Sequence, residues 1–181
     1  MNPTGQLKAE HEGVMLMLRI LDKVCARPDE INREHFTNML EFLRVFVDKC
    51  HHGKEEDLLL PAMIETGIPK DKGVIKFTLL EHVEGRSYVK GMSEAFDKLK
   101  NDDPQASTKI VENTKNYIAL LIKHIDKENT ILFPLADKVL SQAKQAELEV
   151  EFEKLEVERI GIGKHEEFHK LLYQLKEIYL G

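Results

Sequence analysis

Apolar residues recur every three or four positions along most of the chain, the period of an amphipathic helix. Leu7, His11, Val14, Leu18, Leu21 and Cys25 share one face and predict a first helix over about 4–26, stopped by Pro28. Asn32 is a good N-cap for a second. Its stripe is Phe36, Leu40, Leu43, Val47, His51, Glu55, Leu58 and Ala62, and it ends before Gly67-Ile68-Pro69. A third starts near Gly73 and carries Ile75, Thr78, His82, Gly85, Val89, Met92 and Phe96 in register. The polar segment from Asn101 to Pro104 breaks it and sets Pro104 at the first position of a fourth. That fourth helix presents Ile110, Asn113, Tyr117, Leu120, His124, Glu128, Ile131 and Leu135. Long helices with short polar connections predict an all-α fold, an antiparallel up-down four-helix bundle with additional C-terminal helices.

Beyond the bundle the period blurs. Residues 147–158 alternate acidic and apolar side chains, but a lone strand would have no partner, so a surface helix is expected. Gly161-Ile162-Gly163 is a break, after which His165, Phe168, Leu172, Leu175 and Tyr179 mark a closing helix. The expected organisation is one domain over residues 1–181, with a core bundle over about 4–144 and a helical extension over about 145–181.

Composition narrows the function. Among 181 residues, 42% are apolar and 32% charged, enough to build a core and too apolar for disorder. The formal net charge of −6 offers no footprint for a phosphate backbone, which argues against nucleic acid as a partner. No apolar run is long enough to span a membrane. The two cysteines, Cys25 and Cys50, are too few for a disulfide framework and no secretory signal is evident, so a cytoplasmic location is expected.

Histidine placement carries the chemistry. Each of the four stripes contains one: His11, His51, His82 and His124. Glu55 follows His51 by four residues and Glu128 follows His124 by four, a spacing that puts imidazole and carboxylate side by side on one helical face. Burying two glutamates uncompensated would cost several kcal/mol, roughly. Metal ions remove that penalty: carboxylates can bridge two of them while imidazoles fill terminal positions, and this donor set suits iron or manganese better than a structural zinc.

The pairs sit in a longer repeat. The stretch from His51 to Pro61 aligns without gaps on that from His124 to Pro134, with histidine, lysine, glutamate, leucine and proline at matching offsets. Proline inside a helix removes a hydrogen bond and bends it, so matched kinks are expected at Pro61 and Pro134. The same alignment favours His51 over His52 as the inward histidine. His52 shares its face with Glu41 and Asp48 and is expected to be solvated.

This pattern resembles the hemerythrin-like (HHE cation-binding) family, in its bacterial branch, over about residues 6–140. The resemblance implies two non-haem irons, with His11, His51, Glu55, His82, His124 and Glu128 as ligands and Glu55 and Glu128 as bridges; manganese fits the same set. It also implies binding of dioxygen or another small diatomic, or sensing of oxygen, nitric oxide or iron. Two positions depart from the oxygen carriers: Arg86 stands where they place a second histidine, and Glu128 follows His124 at four residues instead of an aspartate at five. The missing imidazole makes His165, on the stripe of the closing helix, a candidate seventh ligand. Arg86 is expected to bridge to a surface carboxylate, Tyr117 to be core, and His169 to be solvated; His35 lies too far along its helix to reach the site. A stress-repair enzyme or oxidoreductase acting on nitric oxide or peroxide, similar to the iron–sulfur repair branch, is the alternative, although that branch's cysteine-bearing N-terminal region is not found here. Protein partners are not legible. A zinc pattern, a phosphate-cradling loop and a nucleophile elbow are all lacking.

Overall fold

A computed structural model describes residues 1–99 and 103–181 and shows six helices. Helix α1 spans Pro3–Cys25 and begins where the Asn2 side chain accepts a hydrogen bond from the Gly5 amide. After a short turn at Pro28–Glu30, α2 runs over residues 33–65, opened by the Asn32 cap on the His35 amide. Helix α3 is Gly73–Leu99, α4 covers residues 106–139, α5 is Gln142–Arg159 and α6 is Lys164–Tyr179. The first four make the bundle. The last two, joined by a short turn, each pack on α1 and α2. No strand occurs among the described residues.

The surface helix expected over 147–158 is present within α5, and the glycine break is a turn with Gly161 at φ 92° and Gly163 at φ 78°. A β-carbon would strain that left-handed backbone. Pro104 departs from its expected place: it lies in a turn, and α4 begins at Ala106. The Asn101-Asp102 break falls outside the described residues.

Helices α2 and α4 do not keep one pitch. The Leu60 amide bonds to the Glu55 carbonyl and the Phe133 amide to the Glu128 carbonyl, five residues back in each case. Pro61 and Pro134 follow immediately. A proline ring crowds the carbonyl four residues earlier, and a wider turn relieves it. The matched kinks thus take the form of widened turns. A longer widened stretch, Phe42–His52, precedes the first of them.

Two apolar clusters fill the bundle, one at each end. Val14, Leu18, Leu43, Val47, Val89, Tyr117 and Leu121 belong to the larger, and Leu7, Leu59, Ile75, Leu132 and Phe133 to the smaller. Each fully buried leucine or phenylalanine contributes about 1.5–3 kcal/mol. Every bundle helix passes from one cluster to the other, and the histidines and glutamates occupy the crossing level: His11 between Leu7 and Val14, His51 and Glu55 between Val47 and Leu59, His82 between Ile75 and Val89, His124 and Glu128 between Leu121 and Leu132.

Candidate metal centre

Four helices bring seven side chains to one buried layer. His11, His51, Glu55 and Glu128 form one group with ligand atoms within 4.8 Å of one another; His52, Glu55, His82 and His124 form a second. All seven are at most 4% exposed. Glu55 belongs to both groups, with Oε1 3.7 Å from His51 Nε2 and Oε2 3.3 Å from His82 Nε2. Glu128 also reaches both ways, with Oε2 3.2 Å from His11 Nε2 and Oε1 3.0 Å from His124 Nε2.

The outer ring of partners fixes the imidazoles. His51 donates from Nδ1 to Glu10 at 2.7 Å, His82 to Glu56 at 2.7 Å, His124 to Glu81 at 2.9 Å and His11 to the Asn129 side-chain oxygen at 2.9 Å. A carboxylate or amide oxygen only accepts, so each of these rings carries its proton on Nδ1 and turns the Nε2 lone pair inward. The partners follow the sequence repeat. Glu10 precedes His11 as Glu81 precedes His82, and Asn129 follows Glu128 as Glu56 follows Glu55. Lys54 and Lys127, also matched, bond to Glu10 and Glu81. The centre is pseudo-twofold, with α1 and α2 related to α3 and α4.

That arrangement is unfavourable without cations. His11 and His51 face each other through Nε2 at 3.0 Å, and His82 and His124 at 3.2 Å. Both oxygens of Glu55 and of Glu128 and the Nε2 of His52 are buried without a hydrogen-bond partner. The imidazole–carboxylate approaches above are therefore lone pairs meeting lone pairs. Metal ions, or protons in their place, must lie between. Burial pulls His124 down, but Glu128 and Glu81 outweigh it and push its pKa up to about 9. Burial likewise opposes His82, and its three glutamate neighbours carry it well above the ordinary histidine range. The donors fit metal cations: imidazoles, two shared carboxylates, and oxygen partners that orient four of the rings.

The structure brings together all six residues expected from the four stripes and the repeat, and it adds His52. The expectation that His52 is solvated is corrected: it is 4% exposed and stacks on the His82 ring at 3.9 Å between centroids. Its Nδ1 lies 3.4 Å from Asp48, one of the residues that had argued for a solvated face. A signal was available, because the residue matched to His52 in the repeat is Ile125, which is also buried. Arg86 bonds both Asp48 and Glu56 at 2.7 Å and so buttresses the carboxylate that orients His82.

His165 is not brought to this layer. It lies 3.0 Å from Glu156 in a separate group with Glu10, whose centre the buried Lys54 ammonium fills, 2.6 Å from Glu10 and 2.8 Å from Glu156. His169 is exposed, and His35 pairs with the Tyr179 hydroxyl at 2.9 Å, away from the site. Cys50 is buried and its thiol is pushed up to about 12, chiefly by desolvation, which makes it inert. A cavity of about 340 Å³ opens between α2 and α3, with His52, Gly85 and Tyr117 at its inner end and Arg86 on its wall.

The arrangement defines a class, a helical bundle with a buried histidine–carboxylate centre for metal cations. Residues 2–136 match the model of the hemerythrin HHE cation-binding domain, and the chain belongs to that family. No curated protein and no solved structure matches the chain. Among the described residues no helix is long and apolar enough to cross a membrane.

Proposed function

We propose that the chain holds two irons and binds dioxygen or another small diatomic at them. His11 and His51 would hold one metal and His82, His124 and His52 the other, with Glu55 and Glu128 available to both. His52 supplies the imidazole that Arg86 displaces from the third helix. The observation that carries this reading is the pair of inward Nε2–Nε2 contacts at 3.0 and 3.2 Å flanked by two unbonded buried carboxylates. Bound irons would supply reversible redox chemistry and an open coordination position.

The chain's own residues shape that position. One group has two imidazoles and the other three, so the His11–His51 group offers the fewer protein donors. Val14, Val47, Leu121 and Ile125 close over the imidazoles and leave no space for a water molecule beside them. Entry of a diatomic requires these side chains to move; a neutral ligand then loses little hydration, whereas a hydrated ion must shed its shell.

Elemental analysis of the purified chain tests the proposal. Two irons per chain are expected, falling to one or none in Glu55→Ala with Glu128→Ala, and an absorption change on air exposure of the reduced protein. Unchanged metal content in the double variant removes the bridging assignment. Repeated turnover of nitric oxide or peroxide replaces the binding role with an enzymatic one.

A further inference from the structure

The pseudo-twofold relation exposes an imbalance at the surface. On α1 the outward stripe level with the metal layer is small: Gly5, Ala9 and Gly13. Helix α6 lies against its C-terminal end, so close at Gly13 that a β-carbon there would sit 3.3 Å from Leu172, while Ala9 stays exposed. The matching stripe on α3 is bulky: Lys76, Leu80 and Glu84 correspond to Gly5, Ala9 and Gly13, and Phe77 and Val83 flank Leu80. Phe77, Leu80 and Val83 are 59%, 53% and 61% exposed, and nothing within the chain covers them among the described residues.

At 3.6 residues per turn, Lys76, Phe77, Val83 and Glu84 all point within about 60° of Leu80. The stripe is also symmetric in sequence about that residue. Phe77 and Val83 stand three positions either side of Leu80, and Lys76 and Glu84 stand four either side. In an antiparallel pair of α3 helices centred on Leu80, Phe77 meets Val83 of the other copy and Lys76 meets Glu84 twice. One Glu84 oxygen already accepts from Tyr88 at 2.8 Å, which holds the carboxylate in place and leaves the other free. Oppositely charged residues at the rim of an apolar centre suit a closed two-fold contact, in which one patch serves both partners.

We propose that the chain forms a homodimer through α3, with the two-fold axis passing at Leu80. The second copy covers the apolar side chains that α3 leaves exposed. The proposal is independent of which metals or ligands the centre holds.

Sedimentation velocity on the full chain is the test. At about 50 µM, a concentration at which weak specific dimers are populated, the expected species has twice the chain mass. Leu80→Glu sets two carboxylates against each other on the axis and raises the dimer dissociation constant about 100-fold or more. Its circular dichroism and metal content stay those of the parent, which separates lost association from lost folding. Lys76→Glu alone weakens the dimer, and adding Glu84→Lys restores it, because the swapped pair is complementary again in this register. A monomeric parent chain overturns the proposal. So does a dimer indifferent to Leu80→Glu, or a swapped pair that fails to restore association.

Discussion

The two halves of the centre are built from one plan and finished differently. On the α1–α2 side His51, Glu10 and Lys54 form a buried relay, and the Lys54 side chain is only 2% exposed because α5 brings Glu156 over it. On the α3–α4 side His124, Glu81 and Lys127 repeat the relay, but Lys127 remains 41% exposed. The same ammonium–carboxylate contact is thus an internal ion pair in one half and a surface pair in the other. Environment, not residue type, decides what each is worth.

The sharpest way to break the comparison is to remove each lysine. Lys54→Met leaves the buried Glu10 beside the half-buried Glu156 without the ammonium between them and should cost about 3 kcal/mol in denaturant unfolding. Lys127→Met should cost about 1 kcal/mol or less. Equal losses would show that the cover contributed by α5 is immaterial.

Next in size is the asymmetry at the metals. His52→Ala should weaken one metal equivalent by more than the roughly 10–100-fold that loss of an outer partner costs, while the matched Ile125→Ala leaves both equivalents in place. Titration with ferrous iron under anaerobic conditions reads both. Glu56→Gln, which makes the acceptor of His82 resemble the Asn129 that serves His11, should lower affinity about tenfold.

The smallest effect is in acid. The hydrogen bond from His165, with help from Lys54 and against partial burial, holds the Glu156 carboxyl at about 2. A depressed carboxyl stabilises the fold above its ordinary value near 4.5 and loses that contribution as pH falls toward 2. The melting temperature of the parent should therefore drop faster than that of Glu156→Gln below about pH 4.5. Parallel curves would exclude Glu156 as the source.

Much of this was legible in the residues. The four stripes located the helices and all six side chains that the structure gathers from them, because a single helical period carries a side chain to the same face every turn. His52 was not legible by that rule. Over Phe42–His52 the turn is wider than an ordinary helical turn, which rotates two successive histidines inward together. The apolar Ile125 at the matched position was the better guide. Glu10 and Glu81 escaped because an acid beside a histidine looks solvated until a lysine from another helix is seen to reach it. His165 followed the apolar stripe of α6 correctly, but that stripe faces α1 and the Phe42–Phe46 stretch of α2, not the metal layer.

Committing each ring Nδ1 proton to an oxygen partner has a final consequence for selectivity. Of the imidazoles in the layer, four have spent their only N–H on orientation, and the surrounding wall of Val14, Val47, Leu121 and Ile125 is hydrocarbon. Only His52, whose Nε2 has no partner, keeps an uncommitted ring nitrogen there. On the proposed role, a guest reaches the layer only when that wall gives way, and a neutral gas then loses less hydration than a dissolved anion of similar girth.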